Sequence, residues 1–132
     1  DEKAMAERIL AAVGTVAWVE NEELLHAVTA VSGSGPAYFF LFLEAMTQAA
    51  VQQGLDPVTA RQLAVQTAAG AARLAQSDDT DLAELRRRVT SPGGTTERAI
   101  AAFEQHHLRQ TVDIAMQACA NRSRELAELL GR

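Results

Sequence analysis

Aromatic, cysteine and proline residues are scarce: one Trp, one Tyr, four Phe, one Cys and three Pro among 132 residues. A single cysteine, Cys119, excludes any disulfide within the chain, and its apolar neighbours mark it as a small buried hydrophobe in a reducing compartment. Cations are in the minority too. Twelve Lys and Arg against seventeen Asp and Glu give a formal charge of -5, which argues against nucleic acid or an anionic membrane as the main partner. The one basic cluster, Arg86, Arg87 and Arg88, is short, and a solvated helix face is its plainer reading. The acidic N-terminus has no apolar run of the length a signal peptide needs. The longest uncharged stretch, His26 to Leu43, is interrupted by S-G-S-G-P, and its strictly apolar part is seven residues, against roughly 20 for a spanning helix. A soluble cytoplasmic protein is the expectation.

What the chain has in excess is alanine, at 26 residues. Alanine is the best helix former and is disfavoured in strands, so helices are expected throughout. Each alanine buries little apolar area, so the core of one chain is thin and calls for help from a partner.

Periodicity predicts a helix from Asp1 to Val13, stopped by Gly14, and then a strand in T-V-A-W-V at residues 15–19. A lone strand cannot stand by itself. It is either the tail of a larger α/β unit or an edge that pairs with another chain. A short helix from Glu22 to Ala30 leads into S-G-S-G-P, where Ser34 or Gly35 caps a helix running from Pro36 to Gln53. The first two turns of that helix are apolar on every side, which in so short a chain points to an intertwined homodimer. Further helices are expected from Pro57 to Gln76, Leu82 to Arg88, Thr95 to Gln105 and Leu108 to Leu130, with a break at His106 and His107. In the fourth of these seven, Ala60, Ala64, Ala68 and Ala72 form a smooth ridge for close helix contact.

Half of the glycines and two of the three prolines lie in S-G-S-G-P (32–36) and S-P-G-G (91–94). The second segment ends where a helix begins. The N–H groups of Gly93, Gly94, Thr95 and Thr96 can there point outward unpaired, toward a carboxylate or phosphate, and two threonine hydroxyls stand beside them. A turn that merely caps a helix is the alternative. Gly33 and Gly35 give G-x-G, but Tyr38 stands where a dinucleotide fingerprint needs its third glycine. His26 reads as a surface or core histidine. His106 and His107 face different directions on a helix and have no third ligand at metal spacing, so no metal site is expected. Ser32 and Ser34 lack a His and Asp at a triad spacing, and Asp78 and Asp79 read as helix-capping residues.

Taken together, A-V-S-G-S-G-P-A-Y (30–38), V-T-S-P-G-G-T-T (89–96), N-R-S-R-E-L (121–126) and the preceding A-V-G-T-V-A-W-V (12–19) resemble the C-terminal half of the pyrroline-5-carboxylate reductase family, over nearly the whole chain. The resemblance implies a mainly α fold. It is an intertwined helical dimerisation domain like the C-terminal domain of 6-phosphogluconate-dehydrogenase-like enzymes, residues 22–132, preceded by one helix and one strand, residues 1–21, of a missing Rossmann domain. Interlocked homodimers, in some members assembled further into rings, go with it, and so does reduction of 1-pyrroline-5-carboxylate to L-proline by hydride from NADPH or NADH. Carried over by motif, Ser91, Pro92, Gly93, Gly94, Thr95 and Thr96 hold the substrate. Gly94 and Thr95 give N–H groups to its carboxylate, the Thr96 hydroxyl lies near the imine nitrogen, and Val89 lines the pocket. Ser32, Gly33, Ser34 and Gly35 lie near the nicotinamide. Where relatives carry Gly-Gly after the sixth helix this sequence has His106-His107, and histidine tolerates positive φ better than most residues. A non-catalytic helical homodimerisation module accounts for the alanine ridge and the apolar helix equally well, but gives no reason for S-P-G-G-T-T.

Overall fold

In a computed structural model of the protein, residues 1–131 are described, and all regular elements among them are helical. Helix α1 (Glu2–Ala11) starts on Asp1, whose carboxylate accepts the Lys3 N–H at 3.0 Å. The expected strand at residues 15–19 does not form. A strand needs a neighbour to take its ladder hydrogen bonds, and no second strand exists among the described residues. Trp18 instead folds back under α1, with the Lys3 ammonium 4.8 Å from its ring centre.

The expected break at S-G-S-G-P is also absent. A 3-10 turn (Glu22–Leu24), capped by Asn21, passes into α2 (Leu25–Val28), a π-helical turn (Thr29–Gly33) and α3 (Gly35–Gln52). The Ser34 N–H donates to the Thr29 carbonyl at 2.9 Å, five residues back, so one extra residue is absorbed as a wider turn. Ser34 itself keeps helical dihedrals and makes no side-chain cap, and Pro36 falls in the first turn of α3, where its missing N–H costs nothing. The helical run Glu22–Gln52 thus reaches 31 residues with a window of mean hydropathy 1.2, long and apolar enough to cross a membrane by length and composition. The break expected at S-G-S-G-P is what the structure removes; the strictly apolar part, Ala37 to Leu43, remains seven residues long between Pro36 and Glu44.

Gly54, at φ +104, closes α3, and Asp56 opens α4 (Pro57–Ser77) by accepting the Val58 and Thr59 N–H groups at 3.1 and 3.0 Å. The Thr59 side chain, and then these backbone N–H groups, hold the Asp56 carboxyl below its ordinary range. The alanine ridge of α4 is buried at Ala60 and Ala64, half-buried at Ala68 and exposed at Ala72, so close contact with α3 involves only its first turns. After α5 (Leu82–Arg88) come α6 (Thr95–Gln105) and α7 (Leu108–Leu130). His107 takes the left-handed conformation, φ +58 and ψ +39, at the corner between them, as its tolerance of positive φ allows.

The C-terminal N-R-S-R motif fastens α7 to the first turns of the long helical run. His26 Nδ1 meets Ser123 Oγ at 2.8 Å, and Arg124 pairs with Glu23 at 2.5 Å. The Arg124 hydrogen bond and charge keep the Glu23 carboxyl below its ordinary range. The expectation for His26 holds: it is a half-buried structural contact. Each of Arg86, Arg87 and Arg88 has an acidic partner in the chain, as a solvated helix face requires.

The chain does not close over its apolar residues. Ala30, Ala60 and Ala64 are the buried hydrophobic residues, whereas Phe39, Phe40 and Leu41 stand 68%, 69% and 67% exposed. Its accessible surface is 10935 Å², against about 6,800 Å² for a compact monomer of this mass. The excess is of the order that obligate dimers bury.

Candidate functional site

The most specific motif of the sequence forms the corner between α5 and α6. Val89 leaves α5 with its N–H on the Arg86 carbonyl, and the Thr90 hydroxyl donates to the same carbonyl at 2.6 Å. Pro92 and Gly93 then turn the chain: the Gly94 N–H returns to the Ser91 carbonyl at 3.0 Å, and Gly93 lies at φ +71, where only glycine is unstrained. A Cβ on Gly94 would meet the Ser91 oxygen at 3.0 Å, so the turn favours glycine at both positions, at 93 by dihedral and at 94 by close approach.

The two glycine N–H groups are not free. Gly94 donates to Ser91, and Gly93 donates to the Glu97 carboxylate at 2.6 Å. The expectation that the Gly94 N–H is offered to a ligand is corrected on this point: a tight turn takes up its own donors. What stays open is one residue further on. The N–H groups of Thr95 and Thr96, and both threonine hydroxyls, make no hydrogen bond among the described residues. They stand at the positive end of α6, whose cap residue Gly94 has no side chain to satisfy them. An anion with two oxygens, such as a carboxylate, has the charge and the acceptor pattern for this end.

Charged contacts hold the corner. Glu104 on α6 faces Arg86 of α5 at 3.9 Å and takes Arg109 of α7 at 2.8 Å. The Arg109 hydrogen bond, and then the two guanidinium charges, keep the Glu104 carboxyl below its ordinary range.

Ser32, Gly33, Ser34 and Gly35 occupy a different place. Ser32 bonds back to the Val28 carbonyl at 3.0 Å, and Ser34 Oγ accepts from Cys119 Sγ of α7 at 3.2 Å. Cys119 is half-buried and polar in its contact, not the sealed hydrophobe expected. Beside it the Tyr38 hydroxyl is buried without a partner, and the Cys119 thiol and burial push the phenol above its ordinary value. Tyr38 also lines an apolar cavity of about 280 Å³ between α3 and α7, with Leu41, Phe42, Ala45, Val112 and Met116. No hydrogen bond or ion pair joins this region to residues 89–96 among the described residues. One chain does not bring the two glycine-proline segments together.

Neither segment has the form of a dinucleotide cradle. Residues 32–35 lie within a helical run, and the described residues include no strand leading into a glycine turn. No group of three or more His, Cys, Asp or Glu close enough to hold a metal ion occurs among the described residues.

Glu97 and the Tyr38–Cys119–Ser34 group were not singled out from the sequence. For Glu97 a signal existed, since a glutamate at the third position of a helix is half of a capping box. For Tyr38 and Cys119 there was none, because 81 residues of chain separate them.

Residues 22–126 match the family described as pyrroline-5-carboxylate reductase dimerisation. Pyrroline-5-carboxylate reductase of Pseudomonas aeruginosa is 53% identical over 127 residues, which cover 96% of this chain and 46% of that protein. The one of Haemophilus influenzae is 48% identical, over 96% of this chain and 47% of its own length. Among solved structures, a pyrroline-5-carboxylate reductase from Coxiella burnetii superposes with a TM-score of 0.92 at 48% identity, over 96% of this chain and 47% of that one. A Plasmodium falciparum pyrroline carboxylate reductase with NADP bound superposes with a TM-score of 0.83 at 30% identity, over 92% and 46% of the two chains. The chain spans about half the length of the curated relatives it matches.

Proposed function

The chain belongs to the pyrroline-5-carboxylate reductase dimerisation family, and from that premise we propose that it is the dimer-forming, substrate-holding C-terminal part of an enzyme that reduces 1-pyrroline-5-carboxylate to L-proline with NADPH or NADH. The observation that carries this reading is the corner at residues 89–96, where two glycines build a turn that ends on the unsatisfied N–H groups of Thr95 and Thr96.

In this reading the substrate carboxylate takes the Thr95 and Thr96 N–H groups at the start of α6, and Val89, Ser91 and Pro92 shape the approach. The Thr96 hydroxyl lies beside the imine nitrogen. An iminium accepts hydride better than a neutral imine, so a hydrogen bond to nitrogen favours the transition state. Threonine is too weak an acid to part with its own proton, and it serves as a hydrogen-bonding or relaying group between nitrogen and water. The residues present do not form a site that would hold the dinucleotide by itself, so that task falls to a nucleotide-binding half, most of which lies outside residues 1–132. Residues 1–21 are then the last segment of that half. Their exposed Met5, Ile9, Leu10 and Trp18 fit a face made to be covered by it. Ser32, Gly33, Ser34 and Gly35 lie near the nicotinamide end of a site that a second subunit completes.

A homodimer covers the apolar surface of α3, and the helical run Glu22–Gln52 packs against partner helices instead of lipid. Assembly into a larger ring, a cytoplasmic location and the absence of nucleic-acid or membrane partners belong to the same proposal. The test is Thr96→Ala in a full-length enzyme carrying this chain, followed by coenzyme oxidation. A loss of about 100-fold is expected for removing one transition-state hydrogen bond. An unchanged rate leaves only a dimerisation module.

A further inference from the structure

We infer that Glu97 is a positioning residue for the carboxylate end of the substrate, because it locks the turn that leaves the Thr95 and Thr96 N–H groups unpaired. The inference rests on residues 89–96 being the substrate loop. Gly93 is held at φ +71, and glycine has more freedom to lose there than any other residue, so the conformation needs an anchor. Ser91 supplies one through the Gly94 N–H, at 3.0 Å. Glu97 supplies the other: its Oε2 takes the Gly93 N–H at 2.6 Å, the short distance of a charge-assisted bond.

The direction of this bond matters. A glutamate in the first turn of a helix is drawn to the unsatisfied N–H groups of that turn, and could occupy the donors a ligand needs. Here the carboxylate reaches upstream to Gly93 and leaves those donors open. Among the described residues Glu97 has no ion-pair partner and no other side-chain hydrogen bond, so shaping the turn is its one polar task. Its charge also stands near the place assigned to the substrate carboxylate, where repulsion would weaken binding. Anchoring and repulsion therefore predict opposite signs for its removal.

The experiment compares two substrates in a full-length enzyme carrying this chain. With anchoring dominant, Glu97→Ala raises KM for 1-pyrroline-5-carboxylate about tenfold, the worth of one net hydrogen bond. The same variant leaves KM for the coenzyme unchanged within error, and kcat/KM on 1-pyrroline, which has no carboxylate, falls by clearly less than that on 1-pyrroline-5-carboxylate. Glu97→Gln retains an oxygen that can accept from Gly93 and keeps the parent KM. A KM that is unchanged or lower in Glu97→Ala overturns the inference, as does an equal loss on 1-pyrroline or a Gln variant as impaired as the Ala one. A silent Glu97→Ala beside a crippled Thr96→Ala removes this inference alone. If Thr96→Ala is silent as well, the reading of the loop falls and takes this one with it.

Discussion

Residues 32–36 and 91–94 are written in the same three residue types, serine, glycine and proline, and the backbone treats them in opposite ways. At 32–36 it stays helical: one residue is absorbed in a π turn, and Gly33 and Gly35 keep dihedrals open to any residue. At 91–94 it reverses through a left-handed glycine and starts a new helix in a new direction. The difference lies in what surrounds each segment. The first joins two apolar helical stretches and rests on α7 through the Ser34–Cys119 contact, so continuing the helix satisfies its backbone groups. The second lies between polar, charged helices and closes on itself through Ser91 and Glu97. Glycine and proline permit a break; neighbouring contacts determine whether one occurs.

The sharpest way to break the comparison is to remove what the first segment depends on. With Phe40→Asp, a charge on an α3 position that is 69% exposed in one chain opposes association. Dimer should be lost in sedimentation, with a drop in helical circular dichroism. A folded dimer would show that this face is not the one covered. A smaller effect is expected at the second segment. Gly93→Val places a β-branched residue at φ +71 and should cost about 1–2 kcal/mol in denaturant unfolding. The smallest effect, and of opposite sign, belongs to Gly35→Ala. Its Cβ would find nothing within 4 Å in the chain, and alanine in a helical conformation should add about 0.5–1 kcal/mol. A loss there instead would mean that a partner subunit approaches Gly35 closely.

Much of this chain was legible before any coordinates. The six helices that begin at a capping residue or end at a glycine fall within a few residues of their expected bounds, whereas the left-handed conformation at His107 is set by the structure at a corner whose geometry the sequence left open. The loop 89–96 was legible as a motif, yet its donors were misassigned: the pairing of Gly93 with Glu97 and Gly94 with Ser91 is a matter of turn geometry. The strand at residues 15–19 was read from β-branched composition alone, and composition cannot supply a ladder partner. The break at 32–36 was read from glycine and proline alone, and their propensities are weak against continuous packing on both sides.

The sequence by itself determined where most helices form, that residues 91–94 turn the chain ahead of a new helix, and that the apolar first turns of α3 need another chain. These follow from local dihedral preference, capping and the period of apolar residues, which act over a few positions of chain. Only the tertiary structure decided that α2 and α3 run on as one helix, that Ser34, Tyr38 and Cys119 meet, and that Thr95 and Thr96 keep the open donors. Those outcomes depend on contacts between distant segments and on the closure of single turns, where a few tenths of an ångström decide which donor finds which acceptor.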